Sequence, residues 1–198
     1  MSAQWKMSNS RYEEIKQLIL EMYEETGIDT CPIDPFEIAR RLKYVVRPYS
    51  ELSIDDWMWA ESKSDEGFSR PELNPETGMY EYVIYYNDSE FDHTEGNIRW
   101  TIFHEIGHIY LGHHDNPLGN EEAEEDEANF FAKYAMCPPP LLHVTHCENA
   151  LDVYNRFNTS DEFAGYAFAY YQTWLNRGPT DYLAYEVKLL ALFHYCAA

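Results

Sequence analysis

Residues 104–108 read His-Glu-Ile-Gly-His, and this HExxH spacing places two imidazoles one helical turn apart on the same face. His104 and His108 can therefore bind one zinc ion, each through a ring nitrogen at roughly 2.0–2.1 Å. Glu105 lies beside them, where its carboxylate can accept the proton of a water molecule at the open zinc position. Because zinc lowers the pKa of that water towards about 7, the pattern predicts metal-assisted hydrolysis with Glu105 as general base. Gly107 carries no side chain, which allows close approach of another backbone between the ligands.

A catalytic zinc site takes three protein ligands and leaves a fourth position to water, so one ligand must lie outside the motif. His114 follows His108 by six residues, a spacing that one class of HExxH enzymes uses for its third histidine. That class has glycine where this chain has Leu111, and Gly112 comes one position too late. His114 therefore remains a candidate ligand with an imperfect match.

The other candidates lie in the acidic run of residues 121–127, at the start of the next predicted helix. Projected at about 100° per residue, Glu124 and Glu127 fall within the apolar stripe of that helix. The same projection predicts that the other acidic positions point away, namely Glu122, Glu125 and Asp126. A carboxylate on an apolar face needs a partner, which a metal ion would supply. Spacing alone thus leaves Glu127, Glu124 and His114 open, and His113 is the nearest histidine that could stabilise an oxyanion.

Three segments match a known pattern: Arg99–His108, the run Glu127-Ala-Asn-Phe-Phe-Ala132, and Met136-Cys137-Pro138. Together they resemble the ImmA/IrrE family of zinc metallopeptidases. In that family the glutamate that opens the EANxFA motif completes the zinc site, so the resemblance implies Glu127 as the third ligand. The similarity extends over about residues 10–175.

The resemblance implies a Zn²⁺-dependent endopeptidase that cleaves a helix-turn-helix repressor of a mobile element or stress regulon. The composition fits a basic partner, because 14 Lys and Arg residues against 35 Asp and Glu residues give a formal charge of −21. Such a charge argues against direct binding to nucleic acid or to an anionic membrane. Two other hypotheses remain: a non-proteolytic, zinc-containing acidic partner that masks a basic regulator or toxin, and an acidic adaptor with a coincidental HExxH.

The localisation predicted from the sequence is cytoplasmic. No apolar segment approaches the roughly 18 residues of a membrane span, and the start of the chain lacks the pattern of a signal peptide. The four cysteines are scattered without a CxxC pair, which favours free thiols in a reducing compartment.

The periodicity of apolar residues predicts an α+β fold in a single domain over residues 1–198. The predicted helices span about 10–26, 34–42, 97–113, 121–136 and 159–175, and a last one starts near Thr180; the predicted strands are 44–49 and 79–86. Residues 51–78 contain several glycines and prolines and are predicted as a loop or insertion, and 176–198 as a C-terminal helical extension. The small sheet should pack against the HExxH helix, with the zinc cleft between that helix and a sheet edge to which an extended peptide could add as a strand.

Overall fold

The computed structural model describes residues 7–91, 93–116, 118–177 and 182–196. Its helices are α1 (Asn9–Thr26), α2 (Pro35–Arg41), α3 (Ile54–Glu61), α4 (Glu95–Tyr110), α5 (Glu121–Met136), α6 (Pro139–Val144), α7 (Ala150–Phe157), α8 (Asp161–Leu175) and α9 (Ala184–Leu192). Its strands are β1 (Val45–Pro48), β2 (Gly67–Leu73) and β3 (Tyr80–Tyr86), and short 3-10 turns occupy Tyr49–Glu51 and His113–Asp115. The predicted α+β class is confirmed.

The strands form a three-stranded mixed sheet in the order β1-β3-β2. β1 runs parallel to β3, and β2 runs antiparallel to β3 with Ser69 opposite Ile84. Successive side chains of β3 point to opposite faces, so Ile84 joins the main core while Val83 and Tyr85 pack in a smaller cluster. Because β3 is the central strand, β2 is at one edge of the sheet.

The helix that carries the HExxH motif, α4, is buried along much of its length. The Thr94 side chain caps its start by accepting a hydrogen bond from the Asn97 backbone. Ile102, Phe103 and Ile106 are fully buried. These apolar positions hold the motif rigidly against the rest of the core.

α5 packs alongside α4, and Gly107 is the point of closest fit. A β-carbon at Gly107 would lie 3.1–3.2 Å from atoms of the Phe131 side chain. The close approach expected at this glycine is therefore real, although an aromatic side chain of α5 makes it and not a backbone. Absence of a side chain at Gly107 lets α5 approach the turn of α4 that carries the HExxH motif.

The region 51–78 is not the loop that the sequence predicted, because it contains α3 and β2. Gly67 and Pro71 suggested a loop, yet both are tolerated in an edge strand, where one row of backbone groups needs no partner. Pro139 and Pro140 come shortly after the end of α5 and also begin the next helix. They occupy the first turn of α6, where proline lacks an N–H that the helix would leave unpaired anyway.

The C-terminal part of the chain forms a helix that returns to α1 and α6. Thr180, the predicted start, lies outside the described residues, and α9 begins at Ala184. Its buried face consists of Tyr185, Glu186, Leu189 and Leu190. Across the residues that the structure describes, no helix is both long enough and apolar enough for a membrane span.

Candidate functional site

Two imidazoles of α4 and one carboxylate of α5 converge on a single point. The Nε2 atoms of His104 and His108 lie 3.0 Å apart. The Glu125 carboxylate completes the group, with Oε2 3.4 Å from Nε2 of His104 and Oε1 3.3 Å from Nε2 of His108. The candidate ligands for a metal ion are therefore His104, His108 and Glu125.

The donor set and its spacing fit zinc. Two imidazole nitrogens and a carboxylate oxygen are typical zinc ligands, each at about 2.0–2.2 Å from the metal. Ligand atoms at that radius lie roughly 3–3.5 Å from one another in a tetrahedral arrangement, which agrees with the observed separations of 3.0 to 3.4 Å. The Glu125 side chain is 52% exposed, so the cleft leaves this side of the group accessible.

The electrostatics of the group favour a cation at the convergence point. Burial, together with the neighbouring His104, lowers the pKa of His108 to about 3, which keeps this imidazole in the neutral form that binds metals. Burial also acts to lower the pKa of His104, but Glu125 and Glu105 outweigh it and raise that pKa. The hydrogen bond with His104 in turn lowers the pKa of Glu125. The carboxylates that favour a proton on His104 would also favour a divalent cation.

Glu127, the third ligand that the sequence implied, is not brought to this point. Its carboxylate accepts hydrogen bonds from Arg11, at 2.9 Å from Nε to Oε1 and 2.5 Å from Nη2 to Oε2. Nε2 of His113 lies 3.3 Å from Glu127 Oε2. Glu127 thus faces α1 and the turn after α4, while Glu125 faces the two imidazoles.

The helical projection predicted that Glu125 points away, and the structure contradicts this prediction. Phe130, Phe131 and Tyr134 of the apolar stripe pack into the core, whereas Glu125 lies on the side of α5 that meets His104 and His108. Glu125 lies one turn before Ala128 and Asn129, and Asn129 lines the same cavity as the two histidines. Which side of α5 faces α4 depends on how the two helices pack. The periodicity of one helix does not contain this information.

The other two candidates, Glu124 and His114, also lie away from the convergence point. Glu124 accepts a hydrogen bond of 3.5 Å from the Asn116 side chain. Nε2 of His114 lies 2.9 Å from Oγ of Ser69 on β2. His114 therefore lines the cavity without being part of the candidate ligand group.

Glu105 points from α4 to the edge strand. It is buried, and its Oε2 accepts a hydrogen bond of 2.7 Å from Oγ of Ser69. Burial raises the pKa of Glu105, and the contact with Ser69 opposes that rise. A raised pKa suits a group that must take up a proton and release it again near neutral pH. Ser69 was missed in the sequence because β2 itself was not predicted.

The ligand group lines a cavity of about 470 Å³ between α4, α5 and β2. A second cavity, of about 600 Å³, adjoins it and shares Glu66, Trp100, Thr101 and Asn129 with it. The second cavity has both aromatic and acidic side chains in its lining: Tyr12, Trp100, Phe130, Phe163 and Tyr166 together with Glu66, Asp126 and Glu162. Two neighbouring cavities with shared walls offer space for a chain and for one of its side groups.

Comparison with known proteins assigns the chain to a family. Residues 60–168, more than half of the chain, match the peptidase M78 family model, described as the IrrE N-terminal-like domain. No curated protein and no solved structure matches the chain significantly. The matched region contains α4, α5 and β2, which together supply every residue of the candidate ligand group and Glu105. This chain belongs to the peptidase M78 family, whose function is of the metallopeptidase type.

Proposed function

We propose that this protein is a zinc-dependent endopeptidase in which His104, His108 and Glu125 hold the metal and Glu105 is the general base. The observation that carries the proposal is the convergence of the three ligand atoms within 4.8 Å of one another, next to a buried carboxylate in an open cleft. A zinc ion bound there would polarise the scissile carbonyl and lower the pKa of a water molecule towards about 7.

In this proposal Glu105 moves the proton. Its carboxylate would accept a proton from the attacking water and then deliver it to the nitrogen of the departing amine. Ser69 fixes the position of the carboxylate through the hydrogen bond to Oε2. Burial of Glu105 supports this role, because it raises the pKa towards the value at which both transfers are efficient.

The substrate is proposed to bind as an extended strand along β2. This strand is at the edge of the sheet, and its residues Gly67, Phe68 and Ser69 line the cavity of the ligand group. Backbone hydrogen bonds to an edge strand hold a peptide with little dependence on its side chains. The adjoining cavity would then receive a side chain of the substrate.

We further propose that the substrate is a DNA-binding repressor of the helix-turn-helix class and that the protein acts in the cytoplasm. The support is the family membership together with the formal charge of −21. A repressor presents cations to DNA, so an acidic protein would attract it electrostatically.

Cleavage of a randomised peptide mixture tests the catalytic part of the proposal. The zinc-loaded protein is incubated with synthetic ten-residue peptides, and new amino termini are identified by mass spectrometry. Because general base catalysis is worth about 10²- to 10⁴-fold, Glu105→Gln should lower the rate by that factor. Glu61→Gln, an exchange of the same kind in α3, is the matched control and should cleave like the wild type.

Incubation with helix-turn-helix repressors from the same source, followed by analysis of the fragments, tests the substrate part of the proposal. In cells, the wild type should raise expression of the gene that the repressor controls, and Glu105→Gln should leave that gene repressed. A wild-type effect that survives Glu105→Gln, with no cleavage product in either case, would instead support the non-proteolytic binding partner.

A further inference from the structure

We infer that Arg11, Glu127 and His113 form a network that orients His108 for metal binding. This inference rests on the proposed metal site, since it assigns a role behind one of the ligands. Arg11 is in α1, Glu127 is in α5 and His113 begins the 3-10 turn after α4. These three residues are called the His113 network below.

Every contact of the network lies within hydrogen-bonding distance. Nδ1 of His108 is 3.0 Å from Nδ1 of His113, on the side of the ring opposite the candidate metal position. Nε2 of His113 is 3.3 Å from Oε2 of Glu127, and Arg11 donates to both oxygens of that carboxylate. The side chains of His113 and Glu127 are only 7% and 13% exposed, so water competes little for these bonds.

The direction of each hydrogen bond follows from the chemistry of Arg11. A guanidinium only donates, so Glu127 accepts from it. Arg11 donates through Nε to Oε1 and through Nη2 to Oε2, so both oxygens of Glu127 act as acceptors and the group is a carboxylate. An ionised carboxylate only accepts, so Nε2 of His113 must carry a hydrogen.

With its hydrogen on Nε2, His113 offers the lone pair of its other nitrogen, Nδ1, as an acceptor. The 3.0 Å contact requires a donor on the opposite side, which places the hydrogen of His108 on Nδ1. Nε2 of His108 consequently presents its lone pair to the point shared with His104 and Glu125. The network thus selects the tautomer of His108 that can bind a metal.

The arrangement is more than an ion pair between α1 and α5. Arg11 has a second carboxylate partner, Glu14, 2.9 Å from Nη1, so its charge is balanced without Glu127. Only Glu127 continues the contact to a histidine and from there to a candidate ligand. In the part of the chain that the structure describes, the buried Nδ1 of His104 has no partner with hydrogen-bond geometry, and the neutral side chain that interacts with this ring is Asn129.

The substitution Glu127→Gln tests the inference because it reverses the directions of the hydrogen bonds from residue 127 to His108 and keeps the size of the side chain. Arg11 can bond only to the amide oxygen, so the amide nitrogen faces His113 and donates to it. The hydrogen of His113 then moves to Nδ1, and that of His108 moves to Nε2. Competition with a chromogenic chelator should show zinc affinity reduced about 10- to 100-fold. Long-range ¹⁵N–¹H spectra of the metal-free protein should show the changed tautomer of His108.

Glu14→Gln is the matched control, because it removes the other carboxylate of Arg11 and leaves the network intact. It should bind zinc like the wild type. His113→Phe, which keeps an aromatic ring without its nitrogens, should repeat the loss of affinity and serves if Glu127→Gln fails to fold.

Unchanged zinc affinity and an unchanged His108 tautomer in Glu127→Gln would overturn the inference and leave only a structural ion pair. A loss as complete as that in Glu125→Ala would also overturn it, because Glu127 would then be a direct ligand. A wild type that binds no zinc would instead contradict the proposed function, so the two failures are distinguishable.

Discussion

Two glutamates two positions apart on α5 have different environments, and their environments decide their roles. Residues i and i+2 of a helix differ by about 200° around its axis, so Glu125 and Glu127 cannot face the same partner. Glu125 meets the imidazoles, while Glu127 meets Arg11 and His113. At the residue scale the site is therefore a set of ligands with a second layer of side chains that orients them.

Ser69 belongs to that second layer on the side of the general base. Its hydroxyl donates to Glu105 and so must accept from Nε2 of His114, which makes Ser69 a link between the two. Because a hydrogen bond to a charged group is worth about 1.5–3 kcal/mol, Ser69→Ala should lower kcat about 10- to 100-fold. Steady-state assays on a peptide substrate measure this, and chelator competition should show unchanged zinc affinity. Wild-type kcat in Ser69→Ala would contradict the positioning role.

The spacing in the sequence was sufficient to bring His104 and His108 together with Glu105 beside them, and it was insufficient to find the groups that they meet. The first three lie within one helical turn, so local spacing determines their relation. Glu125 and Ser69 reach the site through the packing of α5 and β2 on α4. The projection of a single helix shows which positions share a face, but it does not show which neighbour that face meets.

At the element scale, α4 and α5 were predictable because their apolar periodicity and caps are strong. β2 was not, since Gly67 and Pro71 are typical of loops and only an edge position makes them acceptable. The helices α6 and α7 were not predicted either, because the prolines at residues 138–140 lie at the start of α6 and both helices are short. Where local propensity and tertiary position disagreed, as in these segments, the tertiary position determined the structure.

The attachment of α9 depends on Glu186, a fully buried carboxylate that the sequence pattern did not single out. It accepts hydrogen bonds from the Trp174 indole at 2.7 Å, the Arg177 guanidinium at 2.6 Å and the Leu183 backbone at 2.8 Å. The hydrogen bond from the indole joins α9 to α8. Glu186 thus serves as a polar anchor within an otherwise apolar interface.

Replacement of Glu186 by alanine should destabilise the protein by about 3 kcal/mol, because it leaves buried donors unpaired. Urea denaturation of the metal-free protein measures the change in the free energy of unfolding. Lys188→Ala, on the exposed side of the same helix, should change that free energy by less than about 0.5 kcal/mol. Equal stability of Glu186→Ala and Lys188→Ala would show that the anchor contributes nothing.

At the scale of the whole molecule, the acidic charge and the cleft point to a cationic substrate. The formal charge of −21 gives a long-range attraction. The second cavity adds a local attraction, because among the described residues that line it three carboxylates, Glu66, Asp126 and Glu162, outnumber the one cation, Lys133. Its aromatic walls can also pack against the methylene groups of a long basic side chain.

Charge reversal in the second cavity should therefore change substrate preference. Glu162→Lys should lower kcat/KM for arginine-containing peptides about five-fold relative to glutamate-containing ones, because it replaces attraction by repulsion. Asp161→Lys makes the same change in net charge one residue earlier on α8, outside the cavity lining. Asp161→Lys should therefore change the ratio of kcat/KM between arginine- and glutamate-containing peptides much less than Glu162→Lys does. An identical ratio of kcat/KM values in both variants would contradict a local role of the second cavity. Only the long-range attraction would then remain, and added salt should weaken this attraction equally in both variants.

Glu125 is proposed as the third metal ligand, and the zinc content per chain of its alanine variant tests this role. Purified wild type, Glu125→Ala and Glu122→Ala would be loaded with zinc, dialysed and measured by atomic emission. We expect one zinc in the wild type and in Glu122→Ala, whose side chain is exposed elsewhere on α5, and little or none in Glu125→Ala. Retention of one zinc per chain by Glu125→Ala, with unchanged affinity, would show that Glu125 is not a metal ligand.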